Sequence, residues 1–153
     1  MTFRYVPAWG LRGLQLAVLF EAAMRGLMYL LMPQMALSSD SLTELERSAP
    51  LYVWGLVFVA AAAFGLFGET LMSGTENYMG SSSQNNPRAW PSFVAHAALM
   101  ILYVTLALAY GASLYGASLY DAGAAHFAII PYDLLMIAYL HWLFARRRKS
   151  HVH

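Results

Sequence analysis

Leu51 to Met72 reads LYVWGLVFVAAAAFGLFGETLM. The run is apolar and free of charge until Glu69. A helix needs about 20 mostly apolar residues to cross the hydrocarbon core of a bilayer, and this stretch has that length. Strands of a membrane β-barrel would be shorter and would alternate in polarity. The stretch does neither, so it predicts a spanning α-helix.

Three further segments extend the pattern on either side. Trp9 to Met32, WGLRGLQLAVLFEAAMRGLMYLLM, precedes Pro33. Ser92 to Tyr120 reads SFVAHAALMILYVTLALAYGASLYGASLY, and Ala124 to Ala145 reads AAHFAIIPYDLLMIAYLHWLFA. The first could be mistaken for a secretory signal, but Glu21 and Arg25 interrupt it and no small-residue cleavage site follows cleanly. It is read as an uncleaved helix. The expected fold is all-α, a single domain over 1–153. It is a four-helix transmembrane bundle with spans at about 9–32, 51–72, 92–120 and 124–145, and a basic tail at 146–153.

Composition agrees. The chain of 153 residues is 59% hydrophobic and 11% charged, against about 25% charged in a typical soluble domain. A net charge of +1 gives no basic field for nucleic acid. The absence of cysteine excludes disulfides, zinc–thiolate sites and Fe–S clusters. No GxSxG, HExxH or P-loop occurs, so no enzyme activity and no cofactor are expected.

The connections are polar. Residues 34–50 contain Ser41 and Glu44 at capping-box spacing, which predicts a short helix there. Residues 73–91 are rich in Ser, Asn, Gly and Pro and read as a loop. Asp121 to Gly123 reads as a tight turn between two antiparallel helices. Arg4, Arg12, Arg88 and the cluster Arg146, Arg147, Arg148 and Lys149 fall on one side of a four-span topology. The positive-inside rule then puts both termini in the cytoplasm. Trp9, Trp54, Trp90 and Trp142 fall near span ends, where interfacial Trp is favoured.

Charges within a span cost about 2.5–3.5 kcal/mol each on insertion scales, so each needs a partner. Glu21 and Arg25 lie four apart on one helix face. Asp133 lies at a similar depth in the fourth span, and Arg25 is expected to sit between Glu21 and Asp133. Arg12 and Glu69 are equally far from the inner side and form a candidate second pair. Such clusters either fix helix register or line a polar path. His96 and His141 lie about one turn from the inner ends of their spans. They are candidate axial ligands of one haem iron, or else interfacial side chains bonded to water, headgroups or carbonyls.

The tandem YGASLYGASLY at 110–120 has a period of five. A shift of five residues turns an α-helix by about 500°, so the tyrosines spread around it. Ala109, Ala112, Ser113, Gly116 and Ala117 instead share one face, a small-residue groove suited to close helix approach.

With mid-membrane Glu21 and Arg25, the small-residue runs AAAA at 60–63 and GASLYGAS at 111–118, and the tail RRRKSHVH, the chain resembles small holin and holin-like membrane proteins of phages that infect actinobacteria. The resemblance lies in layout rather than in a motif. It implies homo-oligomers in the inner membrane that permeabilise it, and no catalytic residue. The alternatives are an accessory subunit or an exclusion or immunity factor packed on a partner membrane protein, a haem-binding redox protein, or proton-coupled transport through Glu21 and Asp133.

Overall fold

A computed structural model describes residues 8–31, 46–73, 87–115 and 122–149. Its elements are all helical: α1 (Ala8–Leu31), α2 (Leu51–Ser73), a 3-10 turn (Pro87–Ala89), α3 (Trp90–Tyr115) and α4 (Ala122–Lys149). Residues 46–48 are helical as well. The helix start expected at Ser41–Glu44, Met32, the residues Gly116–Tyr120 of the third span and the turn residue Asp121 lie outside the described residues.

Three helices are long and apolar enough to cross a membrane: Gly10–Leu31, Leu51–Met72 and Trp90–Ala112. They mark the chain as a membrane protein. At 1.5 Å per residue each reaches roughly 33 Å or more, which matches a hydrocarbon core of about 30 Å.

Local chemistry explains where the helices start. Pro50 precedes α2, and the Val53 amide donates to the Pro50 carbonyl at 2.9 Å, closing the first turn. Pro87 opens the 3-10 turn and Pro91 occupies the first turn of α3. A proline is tolerated there because its missing N–H has no intrahelical partner to lose. Pro131 lies inside α4, which runs through it.

The fourth helix departs from expectation at both ends. Ala122 and Gly123 belong to α4 rather than to a turn. Arg146, Arg147, Arg148 and Lys149 continue the helix rather than forming a separate tail. Arg and Lys are good helix formers, and their charge is favourable at a helix C-terminus. Arg146 lies with its guanidinium 5.4 Å from the centre of the Trp142 ring.

The helices pack in chain order. α3 lies along α4, α1 along α2 and α2 along α3, with only a light contact between α1 and α4. Neighbours are antiparallel: Gly26 of α1 meets Gly55 of α2, while the earlier Gln15 meets the later Glu69. Each helix presents one stripe to the centre. On α3 it is Ser92, His96, Leu99, Tyr103 and Leu106, all fully buried, at the i, i+4, i+7 spacing of one helix face. On α2 the stripe includes Leu51, Phe58, Ala62 and Glu69. Phe58 links two tyrosines edge to face, with centroids 6.2 Å from Tyr29 and 5.2 Å from Tyr103. The outward surface carries Phe20, Leu31, Leu56, Phe67, Ile101 and Leu108. Apolar side chains thus cover the outside while most of the polar ones turn inward.

Glycine sets the closest approaches. A Cβ on Gly26 would stand 2.8 Å from the Gly55 carbonyl oxygen, and one on Gly68 would stand 2.4 Å from the Ser92 amide nitrogen. Both neighbours are backbone and cannot swing aside. Gly13, by contrast, has nothing within 4 Å of such a Cβ. Gly68→Ala is therefore expected to cost about 1–3 kcal/mol through overpacking. Gly13→Ala should be neutral or stabilise by up to about 1 kcal/mol through helix propensity. Equilibrium unfolding of both variants in detergent micelles checks the contrast.

Candidate functional site

The Gly68–Ser92 contact brings the next residue of α2, Glu69, against the start of α3. The Ser92 hydroxyl donates to Glu69 Oε1 at 2.6 Å. Gln15, from α1, donates its amide nitrogen to the same oxygen at 2.7 Å. That nitrogen is also 3.0 Å from His96 Nε2 and 3.4 Å from Ser92 Oγ. His96 Nδ1 is 2.8 Å from His141 Nδ1 on α4. All four helices thus contribute to one network, and its five side chains are at most 3% exposed. It lies at the end of the bundle where α1 and α3 begin and α2 and α4 end.

The donor inventory orders the protons. Were the Gln15 amide reversed, its carbonyl oxygen would face Glu69 Oε1 at 2.7 Å and repel it. The nitrogen therefore stands there and gives its two hydrogens to Glu69 and His96. His96 Nε2 then accepts, its proton is on Nδ1, and it donates to His141 Nδ1. His141 carries its proton on Nε2. That Nε2 is buried with no hydrogen-bond partner among the described residues. The His96 ring packs on Phe144 at 5.3 Å, and the His141 ring stacks on Tyr103 at 5.4 Å with 19° between planes.

Tyr103 joins this network to a second one in the middle of the bundle. Its hydroxyl donates to Glu21 Oε2. Arg25 binds Glu21 Oε1 through Nε at 2.9 Å and Nη2 at 2.5 Å, and its guanidinium lies 5.5 Å from the centre of the Tyr103 ring. Both carboxylate oxygens of Glu21 are thereby occupied. Charge-assisted bonds of this kind are the strong ones, and in hydrocarbon the alternative is an uncompensated ion.

The structure sorts the expected site residues. Glu21 and Arg25 pair as their i,i+4 spacing predicts. Asp133 does not join them: it is exposed on α4 and makes no hydrogen bond or ion pair among the described residues. The side of Arg25 expected to meet Asp133 is taken instead by Tyr103, whose face of α3 is turned to the centre. Glu69 receives Gln15 and Ser92, and Arg12, three residues before Gln15 on α1, is half-buried. His96 and His141 share a depth, as expected. Their Nδ1 separation is that of a hydrogen bond, however, and leaves no room for an iron between those atoms. Ala109 is partly buried against the core and Ala112 is exposed. Ser113 has no described side chain, and Gly116 and Ala117 lie outside the described residues.

Gln15, Ser92 and Tyr103 were missed. Gln15 had a signal: an uncharged amide in an apolar run needs a partner as a charge does. Ser92 and Tyr103 had none, because both residue types are ordinary at the start and in the middle of a span. Comparison with known proteins adds nothing to the geometry, since no family model, no curated protein and no solved structure matches this chain.

Tyr103→Phe removes the bond to Glu21 and keeps the ring against Phe58 and His141. It is expected to cost about 1.5–3 kcal/mol, the range for a hydrogen bond to a charged group. Tyr103→Leu should cost more, because it also removes the stacking. Unfolding in detergent measures both, and equal losses would show that the ring contributes nothing.

Proposed function

We propose that this chain is a small integral protein of the inner (plasma) membrane that crosses it four times, with both termini cytoplasmic, and self-associates to permeabilise it in a holin-like way. Three spans are apolar by composition. Packing supports reading α4 as the fourth: it lies antiparallel along α3, and a helix so placed would share its layer of the bilayer. The basic residues Arg146 to Lys149 end α4 on the side where α1 begins, which supports the positive-inside orientation.

Asp133 carries the functional reading. It lies eight residues from His141, about 12 Å along the helix axis, and so within the hydrocarbon. It is exposed on a face with Ile129, Tyr132, Met136 and Tyr139, which are exposed as well. A carboxylate facing lipid there costs about 2.5–3.5 kcal/mol on insertion scales. Glu21 and Glu69 have partners within their own chain; Asp133 is left for another. A second copy packed through α4 would remove it from lipid and offer it the hydroxyls of Tyr132 and Tyr139. Several copies would gather a ring of carboxylates, the arrangement that lines cation-permeable passages.

The cysteine-free sequence makes the test direct. Single cysteines at Tyr132, Met136 or Tyr139 are expected to form disulfide-linked dimers in the membrane, and Asp133→Leu to reduce them. Induced expression in bacteria should collapse the membrane potential, read with a potential-sensitive dye, and Asp133→Leu should slow the collapse at least tenfold. Inserted protein without crosslinks would remove self-association through α4 and favour an accessory, exclusion or immunity role on a partner membrane protein. Crosslinks with an intact potential would remove permeabilisation alone.

A further inference from the structure

We infer that the His96–His141 pair is a buried proton-binding site, with Glu69 as its counter-charge and Gln15 as the group that sets its resting tautomer. Two imidazoles joined through their Nδ1 atoms at 2.8 Å hold one hydrogen between them, and either ring can be its donor. The direction is imposed from outside. On the α1 side, Gln15 points an N–H at His96 Nε2 because Glu69 takes its other N–H. On the α4 side, nothing among the described residues accepts from His141 Nε2. The neutral pair is therefore held in one tautomer at one end and has no acceptor among the described residues at the other.

The groups around the pair define what proton uptake requires. α1 presents Gln15, with Arg12 one turn before it and Glu21 and Arg25 beyond the Tyr103 ring. α2 presents Glu69. α3 presents Ser92 and Tyr103, and α4 adds Arg146, which is held over Trp142. An incoming proton finds its acceptor at His96 Nε2, and Gln15 must shift so that its amide nitrogen stays on Glu69 while its carbonyl oxygen moves to receive the new N–H. Ser92 keeps its bond to Glu69, which stands as the counter-charge to the new proton. The cation is shared: both Nε2 atoms carry hydrogen and the Nδ1 bridge keeps its own. One proton enters, one N–H bond forms at His96 Nε2 in place of the hydrogen bond it accepted from Gln15, and no other covalent bond forms or breaks. Gln15 thus couples the state of the pair to α1, whose contact with α4 is otherwise light.

The test uses the full chain with ring-15N histidine in lipid bilayers, read by solid-state NMR from pH 8 to pH 4. At pH 8, His96 should show Nδ1–H and His141 Nε2–H, with a coupling across the Nδ1–Nδ1 bond. On acidification the pair should take up one proton, and both ring signals should move together in one shared step toward the averaged pattern of a single cation held between them. Gln15→Met removes the donor that keeps His96 Nε2 bare and should move the His96 proton to Nε2 at pH 8. Rings that stay neutral over the whole range, titrate separately or show no mutual coupling would overturn the assignment. So would tautomers unchanged in folded Gln15→Met. The wild-type titration decides the question even where that variant does not fold.

Discussion

The carboxylate of Glu69 is buried at 3% exposure, and the end of the bundle where α1 and α3 begin is organised around that fact. A buried carboxylate is tolerated only when its lone pairs are met. Gln15 and Ser92 meet one of its oxygens from two different helices, so α1, α2 and α3 are held at one height. The glycine beside it lets α3 come close enough for the Ser92 bond. His96, one turn further along α3, then falls within reach of Gln15, and through His141 the fourth helix is tied to the same point. Side-chain hydrogen bonds replace the hydrophobic effect here, because lipid gives helices no hydrophobic reason to associate.

The middle of the bundle follows the same rule with different groups. Glu21 and Arg25 neutralise each other within one helix, and Tyr103 supplies the remaining donor while filling the space between the two networks. Its ring serves as apolar packing for Phe58 and His141, and its hydroxyl as a polar group for Glu21. An aromatic residue with a polar tip suits a boundary between a dry layer and a charged one. Thr70 and Thr105 bond to carbonyls of their own helices at 2.7 Å and 2.9 Å, so they need no partner across the bundle.

Asp133 is the exception, since it lies exposed on the outside of the bundle while Glu21, Arg25 and Glu69 are bonded within it. The exposed face of α4 on either side of it is aromatic and aliphatic. Within the chain the position has a cost and no return, which is why the proposed function places another molecule against it. The buried histidines point the other way, to chemistry contained within a single chain.

The sequence by itself determined the helices and their membrane character. A helix in hydrocarbon satisfies its own backbone, so a long apolar run decides its conformation without outside help. It also determined the Glu21–Arg25 pair, because residues four apart meet on any helix. It placed His96 and His141 at one level, because adjacent antiparallel helices share a scale. Only the tertiary structure decided which face of each helix turns inward. That choice put Tyr103 rather than Asp133 against the Glu21–Arg25 pair, placed Gln15 between Glu69 and His96, and turned the two histidines toward each other. The physical reason is rotation about the helix axis: a span that is apolar nearly all round carries little signal for it. Close contacts such as Gly68 on Ser92 and Gly26 on Gly55, and the need of each buried polar atom for a partner, fix it only once all four helices are present.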